Sequence, residues 1–153
     1  MGTKHLGNAS EVRALDAYIK LMRAADSVTS RVTNALAPHN LTVSQFGILE
    51  ALMHLGEMNQ HDLGQKLLKS SGNITLVVDN VEKRGLIQRV RGTDDRRFMW
   101  VTLTKAGDEF IRKVFPQIVP IITDSMVVLS PFEIDKMAEY LKQIGHRCQD
   151  SNA

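Results

Sequence analysis

The sequence is poor in cysteine, aromatic residues and proline. Cys148 is the only cysteine in 153 residues, aromatic side chains make up 5% of the chain, and there are 4 prolines. A single cysteine excludes an internal disulfide framework and a zinc site built from several cysteines, and it fits a reducing compartment.

Long apolar runs are also missing. No stretch is long enough to span a membrane, and the first residues, MGTKHLGNASE, lack the apolar core of a signal peptide. We therefore expect a cytoplasmic protein with no membrane partner. With 43% hydrophobic and 24% charged residues, the composition predicts a single domain over residues 1–153 with a core of its own.

Patterns typical of catalysis are absent as well. The sequence has no paired carboxylates, nucleophile elbow or phosphate-binding glycine loop, so we expect neither an enzyme nor a bound cofactor. The 5 histidines have no ligand spacing with carboxylates or with Cys148, so no metal site is expected.

What the sequence does contain is a segment, residues 70–104, with the pattern of a short helix followed by a basic hairpin. Ser70 or Ser71 caps the helix start, and Gly85 ends the helix. The apolar residues recur at the spacing of one helix face: Ile74, Val77, Val78 and Val81. Two runs of strand-like composition, 86–90 and 98–103, are separated by RGTDDRR, which predicts a hairpin with a charged tip.

Positive charge is concentrated at the end of this helix and on the hairpin, although the formal net charge of the whole chain is only +2. The basic residues are Lys83, Arg84, Arg89, Arg91, Arg96 and Arg97. Such a distribution favours a nucleic-acid partner. A solvated helix and a soluble turn would explain the segment equally well if it stood alone.

The elements that precede the segment favour DNA. Ser10 is a candidate cap for a long amphipathic helix, residues 10–37, which ends before Pro38. Thr42 and Gln45 form a capping box for the next helix, and Asn59 caps a third, short one. Three short helices and a hairpin over residues 41–104 predict a winged helix-turn-helix module.

Residues 105–146 predict two further helices. Thr104 caps the first, which Pro116 and Pro120 are expected to kink or split around Phe115. The second begins at Ser130-Pro131 and ends at Gly145. Since residues 10–37 and 105–146 both carry apolar faces, we expect them to be dimerisation helices that pair about a two-fold axis. The predicted fold is mainly α with a small β-hairpin wing, a winged helix-turn-helix flanked by N- and C-terminal dimerisation helices.

Over residues 12–145 the sequence resembles the MarR family of bacterial and archaeal transcription regulators. The resemblance lies in LTVSQFGILEAL, SSGNITLVVDNVEKRGLI and DDRRFMWVTLTKAG. Asp95 and Arg97 match the family's Asp-x-Arg, which implies that Arg97 enters the minor groove and Asp95 helps to hold the wing. Leu103, Thr104 and Gly107 match its Leu-Thr-x-x-Gly, and Thr75 matches a threonine typical of the recognition helix.

The predicted DNA contacts have physical reasons of their own. The free N–H groups and the hydroxyls at the start of the helix suit a phosphate, Asn73 suits an adenine edge, and Leu76 suits a thymine methyl group. Arg96 and Arg97 suit a narrow A·T minor groove. The candidate DNA-binding residues are Ser70, Ser71, Gly72, Asn73, Thr75, Leu76, Asn80, Arg91, Asp95, Arg96 and Arg97. A dimer would require a near-palindromic operator in double-stranded DNA.

The resemblance also implies a homodimeric repressor that is released by a small aromatic or phenolic ligand, for which Met22, Phe46 and Phe115 are candidate contacts. Two other interpretations remain. Leu76 and Asn80 stand where many family members have arginine, which leaves open a helical dimer that acts as a protein-interaction adaptor without specific DNA recognition. Cys148, beyond the last capped helix, leaves open a redox-sensing regulator.

Overall fold

The computed structural model describes residues 2–67, 71–92 and 99–150. Within them the protein is mainly helical, with one small antiparallel sheet. The elements are α1 (Ala9–Leu36), a 3-10 turn (Ala37–His39), α2 (Val43–Leu55), β1 (Met58–Asn59), α3 (Gln60–Lys66), α4 (Ser71–Lys83), β2 (Ile87–Arg91), β3 (Met99–Leu103), α5 (Lys105–Met126) and α6 (Pro131–Asp150).

Most helix starts are where the capping residues predicted them. The Thr42 hydroxyl accepts from the Gln45 N–H at 3.2 Å while the Gln45 side chain accepts from the Thr42 N–H at 3.1 Å, which confirms the capping box of α2. Asn59 caps α3 and Thr104 caps α5. The start of α1 was predicted at Ser10, which is wrong. Asn8 caps it instead.

The structure differs from two expectations about the C-terminal helices. Of the two alternatives at Pro116 and Pro120, a kink or a split, the split is wrong, because α5 is one helix from Lys105 to Met126. A buried face that packs against α1 and α2 holds this helix in place. Helix α6 was predicted to end at Gly145, but it continues to Asp150. Gly145 does not adopt the left-handed conformation of a helix-ending glycine.

The wing hairpin is part of a three-stranded sheet of order β1-β3-β2. Strands β2 and β3 pair from Ile87 opposite Leu103 to Arg91 opposite Met99. The two-residue strand β1 was not predicted, and it adds Met58 opposite Val101 on the other edge of β3. The sheet therefore ties the loop before α3 to the wing.

One apolar core joins the winged module to α5. Its fully buried members come from almost every element: Leu36, Ile48, Leu49, Leu63, Val78, Val81, Ile87, Val101, Ile111, Val114 and Ile118. Helices α1 and α6 contribute little to it. Of the 28 residues of α1 only Val32 and Leu36 are buried, and α6 has no fully buried side chain among those described.

The terminal helices instead expose apolar side chains. On α1 these include Tyr18 and Met22, and on α6 Phe132, Tyr140 and Ile144. Among the described residues, no single helix is long and apolar enough to cross a membrane. Helices α5 and α6 meet such a length and composition test only as a pair, and the chain bends by 97° between them.

Candidate nucleic-acid interface

Helix α4 presents one buried and one exposed face, as its periodicity predicted. Ile74, Val78 and Val81 point into the core and are at most 3% exposed. The opposite face is open: Gly72, Asn73 and Asn80 are exposed, and Leu76 is 61% exposed. An apolar side chain exposed to that degree, beside the polar Asn73 and Asn80, fits the floor of a major groove better than it fits water.

The start of α4 suits close approach by a ligand. Ser71 is its first residue, and a Cβ added at Gly72 would meet no atom within 4 Å. This open space allows a phosphate or a base to come near the backbone. Ser70 and the wing-tip residues Asp95, Arg96 and Arg97 lie outside the described residues, so their predicted contacts stay predictions.

Thr75 is half-buried on the side of α4 that faces α3. Its hydroxyl accepts a hydrogen bond from the Gln60 side chain, with Nε2 and Oγ1 2.9 Å apart. Gln60 is the first residue of α3, so this bond links the two helices of the helix-turn-helix. The role of Gln60 was missed because no local pattern marks a partner 15 residues away.

The end of α4 is closed by a Schellman motif. The Gly85 N–H donates to the Glu82 carbonyl at 2.8 Å and the Leu86 N–H donates to the Val81 carbonyl at 3.4 Å. Gly85 has φ 71°, a left-handed conformation that favours glycine. This turn directs the chain from the recognition helix straight into β2.

Arg89, on β2, is held by two carboxylates of the recognition helix. Its Nη2 pairs with Asp79 and lies 2.7 Å from Glu82 Oε2, and its backbone N–H donates to Glu82 Oε1 at 2.8 Å. The hydrogen bond from Arg89 lowers the pKa of Glu82, and Glu82 in turn raises the pKa of Arg89. Wing strand and recognition helix are therefore linked as one unit.

Arg84, although exposed, also bonds to groups of this chain. Its Nη1 donates to the Asn40 carbonyl at 2.7 Å and its Nη2 to the His39 carbonyl at 3.2 Å, and the guanidinium lies 5.6 Å from the Phe110 ring centre. The sequence placed Arg84 and Arg89 in one basic cluster with Lys83 and Arg91. In the structure Lys83 and Arg91 are exposed, whereas Arg84 and Arg89 bond to groups on other elements of the chain. Charge counting cannot distinguish these uses because the internal partners come from distant elements.

Two of the three candidate effector contacts lie together. The rings of Phe46 and Phe115 stack with centres 6.3 Å apart, and the His54 ring meets Phe115 edge-on at 5.0 Å. Phe46 is buried in the core. Met22 lies on α1 and is 43% exposed, on the face that α1 leaves uncovered. His54 was not among the predicted contacts, because its relation to Phe115 depends on how α2 packs on α5.

Within 2–67, 71–92 and 99–150, no group of three or more His, Cys, Asp or Glu side chains is arranged to hold a metal ion.

The comparisons with known proteins agree with this geometry. The profile of the MarR family matches residues 41–98, which span α2 to the wing. The chain is 32% identical over 133 residues to the HTH-type transcriptional regulator MhqR of Bacillus subtilis, covering 87% of this chain and 92% of the relative. The chain belongs to the MarR family. Its members are transcriptional regulators, and α4 lies within the matched residues, where the resemblance predicts the recognition helix.

Solved structures of MarR proteins share the fold. AbsC from Streptomyces coelicolor superimposes with a TM-score of 0.83 at 23% identity, over 97% of this chain and 99% of that one. An Escherichia coli MarR mutant in complex with operator DNA gives 0.77 at 17% identity, over 86% and 95%. BpsR of Bordetella bronchiseptica, whose DNA binding is regulated by 6-hydroxynicotinic acid, gives 0.75 at 22%, over 84% and 98%.

Proposed function

We propose that this MarR-family transcriptional regulator binds a near-palindromic operator as a homodimer, represses transcription there, and is released by a small aromatic or phenolic ligand. The observation that carries the proposal is the exposed face of α4, where the uncharged residues Gly72, Asn73, Leu76 and Asn80 stand clear of the core. A recognition helix needs such a face to enter a major groove.

The residues on that face suggest an A·T-rich operator. Asn73 is suited to pair with an adenine edge, and Leu76 to pack on a thymine methyl group. Arg91 stands exposed at the end of β2, where it can reach a phosphate, and Arg97 is proposed to enter the minor groove beyond it. The complex of Escherichia coli MarR with operator DNA supports this arrangement by analogy of fold.

The apolar faces of α1 and α6 support the dimer. Tyr18 and Met22 on α1, with Phe132, Tyr140 and Ile144 on α6, form more exposed apolar surface than isolated surface residues provide. A second copy that buries these faces would place two recognition helices about 34 Å apart, one turn of B-DNA.

The stacked pair Phe46 and Phe115, with His54 at its edge, supports a site for a planar ligand between α2 and α5. BpsR responds to a hydroxylated aromatic acid, and we propose the same ligand class here. Such a ligand releases the operator only if it binds the free dimer more tightly than the bound one. We propose a regulator without catalytic activity that works in the cytoplasm, where bacterial DNA is found.

The test is a fluorescence-polarisation titration with the DNA immediately upstream of the gene and with a scrambled duplex, at salt concentrations of about 50 and 200 mM. We expect tight binding to the upstream duplex alone, with a steep fall in affinity at the higher salt. Adding small hydroxylated aromatic acids then screens for release. Leu76→Ala should reduce the preference for the upstream duplex and leave binding to the scrambled one unchanged.

Equal, weak binding to both duplexes, and to fragments selected from the whole genome, would contradict the proposal and favour the protein-interaction adaptor.

A further inference from the structure

Three elements that are far apart in sequence meet at one side chain, Arg84. This residue directly follows the recognition helix α4. Its two guanidinium nitrogens donate to consecutive carbonyl groups, those of His39 and Asn40, in the link between α1 and α2. Its plane lies over the ring of Phe110, on α5.

The turn that accepts the hydrogen bonds of Arg84 is itself held in place by its backbone conformation and by contacts with α5. Asn40 has φ 53°, a left-handed conformation uncommon outside glycine, and this turn presents two successive carbonyls in one direction. The His39 ring packs edge-on against Phe110, with centres 6.4 Å apart, and its Nε2 lies 3.2 Å from Gln117 Oε1. Arg84 therefore binds a corner that is itself fixed to α5.

We propose that Arg84 is a positioning residue, which sets the angle of the recognition helix relative to the helices that form the dimer and thereby the spacing of the two helices on DNA. This inference rests on the proposed function. It gives Arg84 a role that its basic character hides, because a cation at the end of a DNA-reading helix is ordinarily assigned to phosphate.

Geometry favours this role over a phosphate contact. Both ends of the guanidinium fork donate to protein carbonyls, and its Cζ lies 5.6 Å from the centre of the Phe110 ring. A planar fork fits two neighbouring acceptors, whereas an ammonium group satisfies them poorly and stacks weakly. Arg84 is exposed, so these bonds contribute little to overall stability, and their effect is expected mainly in the orientation of α4.

The test compares Arg84→Ala with Lys83→Ala, which removes an exposed cation from the preceding residue. Operator affinity is measured against salt for wild type and both variants. For Arg84→Ala we expect affinity to fall roughly tenfold with an unchanged slope of log K against log salt. Arg84→Lys should fall between wild type and Arg84→Ala.

A second measurement reports directly how far apart the two recognition helices lie. Spin labels on Asn80→Cys, in a Cys148→Ser background, report the distance between the two recognition helices of the dimer. Arg84→Ala should broaden or shift this distribution, and Lys83→Ala should not. If Arg84→Ala does not fold, Arg84→Lys carries both measurements.

Two results would overturn the inference. One is unchanged affinity together with an unchanged distance distribution. The other is a salt slope that falls by about 1 with an unchanged distribution, which is the signature of a lost phosphate contact. If the wild-type protein binds the operator no more tightly than the scrambled duplex, the proposed function fails. The distance distribution alone then decides whether Arg84 positions α4.

Discussion

The winged module buries many apolar side chains within a single chain, whereas the terminal helices α1 and α6 bury few. In the module, α2 alone buries Phe46, Ile48, Leu49, Ala51 and Leu52, and both α4 and the sheet add fully buried side chains. Helices α1 and α6 are longer, yet α1 buries two residues and the described side chains of α6 are at most half-buried.

The difference indicates a division of labour. The module holds its shape through its own core and through the ion pairs of Arg89 with α4, so the exposed face of α4 is preorganised. The terminal helices have good caps and an apolar stripe but little to pack on. Most helical stability in proteins comes from such packing, so we expect these helices to depend on a second copy.

The largest expected effect comes from placing charge on the uncovered face of α6. Leu141→Glu with Ile144→Glu should convert the dimer to a monomer, because each carboxylate would be buried without a partner in the interface. Loss of two-site binding should lower operator affinity by about 10²-fold or more. Analytical ultracentrifugation and polarisation measure the two effects.

The matched control is Leu55→Glu, the same change at an exposed leucine of α2. It should leave the dimer intact. A double variant on α6 that stays dimeric would show that the apolar face of α6 has another use.

Two glycines give a second contrast between the regions. A Cβ at Gly107, at the start of α5, would lie 1.8 Å from the Leu86 carbonyl oxygen, a backbone atom that cannot move without shifting the sheet. Gly107→Ala should therefore lower the free energy of unfolding by roughly 1–3 kcal/mol. At Gly145, on α6, an added Cβ meets nothing within 4 Å, so Gly145→Ala should stabilise by about 0.5–1 kcal/mol.

Urea denaturation of both variants measures these changes. Equal effects of the two substitutions would mean that the close approach of α5 to Leu86 is not maintained in solution.

A smaller, pH-dependent effect on stability is expected from the ion pair between Arg89 on β2 and Glu82 on α4. The hydrogen bond from Arg89 holds the pKa of Glu82 below its usual value of 4.5. Because the folded pKa is depressed, this carboxylate stabilises the fold above pH 4.5 and loses that effect as pH falls through the folded pKa. The difference in thermal stability between wild type and Glu82→Gln should therefore be full near neutral pH and vanish in acid.

Glu133→Gln provides the comparison on the terminal helix. The pKa of Glu133 is also lowered, by the backbone N–H of Ser130, but this carboxylate only caps α6. Its substitution should affect unfolding less than Glu82→Gln at neutral pH. A Glu82→Gln variant whose deficit persists unchanged in acid would contradict the role assigned to the ion pair.

Sequence reasoning succeeded where the determining interaction is local. The capping box of Thr42 and Gln45 closes within three residues, and the periodicity of α4 separates its two faces without knowledge of the fold. It failed where a partner is distant. Strand β1 has two residues and exists only because Val101 and Trp100 pair with it.

The prolines of α5 illustrate the same limit. Each removes a helical hydrogen bond, which argued for a split. The buried contacts of Ile111, Val114 and Ile118 outweigh that loss, and they come from packing against elements earlier in the chain. Arg84 and Arg89 were counted in the basic cluster for the equivalent reason, since their acceptors within the chain are set by tertiary structure.

The most direct test of a dimeric DNA-reading protein is a hydroxyl-radical footprint on the upstream DNA. Two protected half-sites related by a two-fold axis, on one face of the duplex and about 10 base pairs apart, are the predicted result. A single protected half-site, or uniform weak protection along the fragment, would contradict the arrangement of two preorganised recognition helices joined by their terminal helices.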